Sequence, residues 1–182
     1  MKINSKKLAV SAMLTAVAVS LSTFAVPIGA SKCFPIQHLC NVMAGVFLGP
    51  WYGVGMAFCT SLIRNLMGTG SLLAFPGSMV GAYLCGALYR HSHKLTMAYA
   101  GEVFGTGILG AIMCFPVASM LMGKEVAMFF YVIPFLSSTL CGTVIAALLI
   151  GALCKSGAFQ HLGRILEHDG AVAGEKAPGN LR

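Results

Sequence analysis

Charged and strongly polar positions divide the chain into six apolar runs, at about 8–28, 36–50, 52–66, 72–90, 97–121 and 126–154. The first, fifth and sixth reach the roughly 20 residues that an α-helix needs to cross the hydrocarbon core of a bilayer. The second and third are shorter and are split by Gly49-Pro50-Trp51-Tyr52-Gly53, a turn carrying an aromatic anchor. Short runs of this kind suit tilted, kinked or partly re-entrant helices that line a cavity. The expected architecture is all-α, an integral membrane bundle of six transmembrane helices over residues 1–155, with five spans as the alternative count. Beyond it, 156–182 reads as a polar tail with a short amphipathic helix before 168 and disorder after it.

Composition supports this pattern. Apolar residues make up 57% of the chain and charged residues only 9%, and the mean hydropathy is +0.83. A soluble domain carries about a quarter charged residues, so lipid must cover most of this surface. The net charge of +7 does not point to nucleic acid, because the basic residues sit at the ends of apolar runs instead of clustering on a soluble face. With six spans and the N-terminus inside, Lys2, Lys6, Lys7, Arg90, Lys94, Lys155, Arg164, Lys176 and Arg182 fall on the cytoplasmic side. Lys32, Arg64 and Lys124 fall outside. That asymmetry places both termini in the cytoplasm of a multi-pass cell-membrane protein. Lys6-Lys7 before an apolar run loosely resembles a signal peptide, but the run is long for one and no lipobox precedes Cys33. The seven cysteines are scattered without a CxxC pair and read as small hydrophobes. No long internal repeat marks an inverted-repeat transporter.

The candidate chemistry lies in the few polar groups inside or beside these runs. Ala9, Ala12, Ala16 and Ser20 recur at helical spacing and form a smooth stripe, suited either to packing within the bundle or to docking another helix. Gly45/Gly49 and Gly101/Gly105 are further small-residue pairs, expected to pack internally. Glu102 is the one acid within an apolar run, with Thr106 and Leu109 on its face. It is expected near the inner end of its helix, where a partner such as Arg64, a ligand, or snorkelling to the interface would relieve the cost of burying a carboxylate. Arg64-Asn65 followed by Gly68-Thr69-Gly70 could hold an anionic or polar group, or cap a helix end. Lys32-Cys33-Phe34-Pro35-Ile36-Gln37-His38, with Asn41 one turn later, concentrates polar groups at the mouth of the bundle, and Gln37 and Asn41 share a face. Phe75-Pro76-Gly77-Ser78 breaks the fourth run. His91-Ser92-His93 reads as a solvated basic loop. There is no P-loop, no GxSxG elbow and no HExxH helix, so neither ATP hydrolysis nor a common hydrolase chemistry is expected, nor any cofactor.

Four of these motifs resemble the ThiW family of substrate-binding S components of energy-coupling factor transporters: Lys32-Cys33-Phe34-Pro35 with Gln37-His38 and Asn41; Leu48-Gly49-Pro50-Trp51-Tyr52; Arg64-Asn65-Leu66-Met67-Gly68-Thr69-Gly70; and Phe75-Pro76-Gly77-Ser78. They keep their order over about residues 5–155. The resemblance implies a six-helix, non-enzymatic subunit that captures a vitamin precursor from outside and docks on a transmembrane coupling protein carrying two ATPase subunits. For ThiW members the ligand implied is hydroxyethylthiazole, with thiamine or another precursor as the alternative and a lipid-directed intramembrane enzyme or a stand-alone carrier as readings from other classes. It further implies docking through Ala9, Ala12 and Ala16. The implied ligand site lies under the loop after the first helix, involving Phe34, Gln37, His38, Asn41, Arg64, Asn65, Phe75, Glu102 and Tyr131, with Phe135 as a further stacking surface.

Overall fold

The structure, a computed structural model, describes residues 4–23, 26–28, 31–123 and 127–167. Seven helices follow one another: α1 (Ser5–Ser20), α2 (Pro35–Phe47), α3 (Pro50–Leu66), α4 (Ala74–Ser92), α5 (Leu95–Leu121), α6 (Val132–Lys155) and α7 (Ala158–Glu167). Between α1 and α2 the short strands β1 (Val26–Ile28) and β2 (Ser31–Cys33) pair antiparallel, Val26 opposite Cys33. Of these helices α5, with 27 residues, and α6, with 24, are long and apolar enough to cross a membrane by length and composition.

The helix ends follow from local chemistry. Asn4 caps α1, its side chain accepting from the Lys7 N–H at 3.1 Å, which satisfies one of the orphan donors of the first turn. Proline opens both α2 and α3, a position where its missing N–H costs nothing. Gly49, at φ +92°, makes the sharp turn between them that a side chain would strain. Pro134 lies in the first turn of α6, where proline is tolerated, so this helix starts at 132 and not at the expected 126. The first apolar run also proves shorter as a helix than expected. The α-helix stops at Ser20, a 3₁₀ turn covers Leu21–Thr23, and Pro27 holds the following segment extended in β1. The expected amphipathic helix before 168 is present as α7, whose Leu166 is buried and whose Phe159 ring meets Phe47 at 5.0 Å. Residues 168–182, expected to be disordered, lie outside the described residues.

The bundle is organised around α4, which packs on α2, α3 and α5, while α1 lies against α3 and α2. Glycine permits the closest of these approaches. A Cβ at Gly105 would stand 2.8 Å from the Gly81 Cα, and one at Gly110 would stand 2.6 Å from the Gly77 Cα. Both are far inside the roughly 3.5–4.0 Å of carbon contact, so α4 and α5 touch backbone to backbone, as small-residue interfaces in membranes do. The Gly45 and Gly101 positions likewise press against Cys85, which bears out internal packing for Gly101/Gly105 and for Gly45, whereas a Cβ at Gly49 would meet open space. Residues Gly105–Gly110 and Val117–Leu121 of α5 are wound as π-helix around Pro116; such widened turns recur at functional sites.

The distribution of polarity is inverted relative to a water-soluble fold. Met120, Ile133 and Leu148 are 84%, 75% and 70% exposed, whereas Arg64, Glu102 and Asn41 are buried. Lipid can solvate such an exterior, and the interior polar groups must then satisfy one another.

Candidate functional site

A cavity of about 340 Å³ is lined by the start of α2, the α3–α4 loop, α4, α5 and the start of α6. Phe34, Tyr131 and Phe135 supply aromatic surface, and Gln37, His38, Thr106 and Ser138 supply polar groups. Pre-formed cavities of this kind, apolar walls with a few fixed polar atoms, are the usual form of a small-molecule site.

Arg64 sits in the last turn of α3 and is 1% exposed. Its guanidinium lies over the Phe34 ring, 4.0 Å from the centroid. One terminal nitrogen donates to Gln37 Oε1, and the other donates to the Thr69 carbonyl at 3.3 Å. Gln37 Nε2 then donates to Ser61 Oγ at 3.4 Å, so the amide of Gln37 is held at both ends. The Arg64 carbonyl accepts from the N–H groups of Thr69 and Gly70, each at 2.9 Å, and a Cβ at Gly70 would come within 3.0 Å of the Arg64 backbone. Asn65 ties the same loop down, donating to Ser61 O at 2.8 Å and Ser71 O at 3.1 Å. The Arg-Asn-x-x-Gly-Thr-Gly sequence is therefore a compact loop that delivers Arg64 to the cavity.

Glu102 forms the second polar centre. It is 0% exposed and two turns into α5, which does not suit the alternative of snorkelling to the interface. Its partner is not Arg64. Oε1 meets His38 Nδ1 at 2.9 Å and accepts from Asn41 Nδ2 at 3.0 Å and Thr106 Oγ1 at 3.2 Å. Three bonds at one oxygen offset the cost of burying the carboxyl group; among the described residues Oε2 has no partner. Asn41 also donates to the Ser78 carbonyl at 3.4 Å, and the Ser78 and Ser61 hydroxyls are 3.2 Å apart. A polar network thus runs from Arg64 through Gln37, Ser61 and Ser78 to Asn41, Glu102 and His38.

Of the residues singled out in the sequence, Phe34, Gln37, His38, Arg64 and Tyr131 line the cavity. Asn41 and Glu102 do not line it: Glu102 holds His38, and Asn41 holds Glu102. Asn65 builds the loop, and Phe75 turns to Phe58, with ring centroids 5.6 Å apart, away from the cavity. Sequence reasoning passed over Ser61 and Ser138. Ser61 shares a helical face with Arg64 and Asn65, and Ser138 belongs to a Ser-Ser-Thr triplet inside an apolar run, so both left a signal. Ser138 Oγ accepts from the Phe34 N–H at 3.0 Å and so fixes the start of α2 to α6.

The alanine stripe occupies a different place. Ala9, Ala12 and Ala16 are exposed, and Ala12 and Ala16 line an apolar surface groove of about 770 Å³ between α1 and α3, together with Val19, Met56 and Ile63. The stripe is not consumed by packing within the described bundle.

A family model described as thiamine-precursor transporter protein (ThiW) matches residues 8–156. A solved structure presented as the S component of a bacterial ECF transporter superimposes with a TM-score of 0.69 at 20% identity, covering 82% of this chain and 96% of the other. At that identity the likeness is one of fold. No curated protein matches the chain.

Proposed function

The chain belongs to the ThiW family of thiamine-precursor transporter proteins, a transport family and not an enzyme family, and from that premise we propose that it is the capture subunit of an ATP-driven importer, binding hydroxyethylthiazole. The observation that carries the reading is the cavity itself: aromatic Phe34, Tyr131 and Phe135 around a floor of fixed polar groups. A thiazole offers a flat aromatic face, a ring-nitrogen acceptor and, in this precursor, a hydroxyl. Stacking on aromatic rings and two hydrogen bonds answer those features.

In this reading the six helices α1 to α6 span the cell membrane with both termini in the cytoplasm, and the cavity end faces outward. The charge asymmetry of the loops supports that orientation. The solved S component of matching fold supports the further step that the chain works with a transmembrane coupling protein and its ATPase pair. The exposed groove at Ala12 and Ala16 offers such a partner a surface that a helix can approach closely.

Transport in proteoliposomes tests the subunit role. Reconstituted alone, the chain should bind thiazole and import none; with a coupling protein and two ATPases it should import thiazole only when ATP is supplied. Import by the chain alone would make it a stand-alone carrier.

A further inference from the structure

Resting on the thiazole reading above, we infer that Glu102 and His38 together read a free hydroxyl on the ligand, so that the site takes the alcohol and rejects its phosphate ester. His38 is the specificity residue, and Glu102 is a positioning residue that acts through it.

The geometry at Nδ1 sets this up. Glu102 Oε1 already accepts from Asn41 Nδ2 and Thr106 Oγ1, so across the 2.9 Å contact with the same oxygen His38 Nδ1 is the donor and carries the proton. Among the described residues no hydrogen bond reaches Nε2, and His38 lines the cavity. The ring nitrogen left over is then an acceptor, because the bond made by one imidazole nitrogen decides the state of the other. Glu102 cannot drift from this task, since Asn41 and Thr106 hold the same oxygen. A ligand must bring a donor to Nε2, and a hydroxyl does so.

The opposite requirement holds at Arg64. A guanidinium carries five N–H donors and no acceptor, and here it meets two acceptors, Gln37 Oε1 and the Thr69 carbonyl. It has donors to spare for a ring nitrogen. The cavity therefore offers an acceptor at His38 and donors at Arg64, matching a hydroxyl at one end and a ring nitrogen at the other. Esterifying the hydroxyl replaces the donor by a group of about −1.5 to −2 charge. That charge would face an acceptor nitrogen backed by a fully buried carboxylate, in surroundings of low dielectric.

The test is competition against labelled hydroxyethylthiazole on the purified full chain in detergent, using the unlabelled alcohol, 4-methyl-5-ethylthiazole (the same ring without the hydroxyl) and the phosphate ester. Leaving Nε2 unsatisfied should weaken the deoxy compound by about 10- to 100-fold, and the ester should be weaker than the alcohol by at least as much. In His38→Phe the gap between alcohol and deoxy compound should close to within about threefold, because the acceptor is gone from both complexes. Glu102→Gln, confirmed as folded by its thermal midpoint, should weaken the alcohol more than the deoxy compound and so narrow the gap. A purely structural role for Glu102 would weaken both compounds alike and overturn its assignment. An undiminished gap in His38→Phe, or equal binding of alcohol and deoxy compound by the wild type, would overturn the inference and leave the thiazole reading standing. A phosphate ester that binds tighter than the alcohol and loses that advantage in Arg64→Gln would overturn it in favour of an anion seat at Arg64. If folded wild-type protein binds no thiazole at all, the thiazole reading itself fails and this inference with it.

Discussion

Arg64 and Glu102 bring a guanidinium and a carboxyl group into the interior of the bundle, and each is made tolerable by different means. Arg64 leans on the Phe34 ring and on carbonyl oxygens; Glu102 is held by three side chains from two helices. Replacing Arg64 by Met keeps the length of the stem and removes the stack and the donors. Binding of hydroxyethylthiazole by Arg64→Met should weaken at least about tenfold by calorimetry. Asn65→Ala acts on the loop instead: two bonds are lost, the thermal stability should fall by an amount equivalent to about 1–2 kcal/mol, and ligand selectivity should be retained. Glu102 was legible as an acid buried in an apolar run, and Gln37, His38 and Asn41 as polar residues at the mouth. Their pairing was not legible, because His38 and Glu102 are separated by 64 positions and only the helix packing brings them together. Arg64 was the obvious countercharge on paper; the fold gives it Gln37 and Phe34 instead.

At the scale of elements, the α4–α5 contact positions the site. Thr106 and Glu102 lie on α5 against Gly81 of α4, where an added Cβ would collide with both side chains. Gly81→Ala should therefore cost about 1–3 kcal/mol of stability or more, and should weaken binding as well, because it displaces the residues that hold His38. Gly151→Ala, inside α6 where a Cβ meets open space, is the control and should leave binding unchanged without lowering the melting temperature. The hydrophobic runs made the helices readable to within a few residues, since lipid-facing helices are apolar almost all round. The end of α1 and the start of α6 were misjudged because apolar residues also fill the 3₁₀ turn Leu21–Thr23 and the turn just before α6, where backbone conformation and not hydropathy decides. The π-helical stretches of α5 leave no hydropathy signature at all.

For the molecule as a whole, two surfaces are distinct, the cavity and the groove between α1 and α3, and the proposed function gives them different work. Being separate, they can be broken separately. Ala12→Trp fills the groove with a large side chain without reaching the cavity, so uptake in a reconstituted importer should be lost while ligand affinity stays within about twofold of wild type. Loss of both together would mean that α1 shapes the ligand site. The order of the motifs along the chain was enough to indicate the family, and the family model over residues 8–156 bears that out. Whether a stripe of small residues packs inward or is left exposed depends on where the other helices lie, which the sequence of α1 alone does not encode.

Ligand binding is the claim on which the rest depends, and calorimetry on the purified chain in detergent addresses it most directly, with hydroxyethylthiazole, thiamine and the aminopyrimidine moiety titrated in turn. Saturable one-to-one binding of the thiazole, at least about tenfold tighter than either of the others, is the expected result. No heat from any of the three, with a protein shown to be folded, or a preference for the pyrimidine, would contradict it.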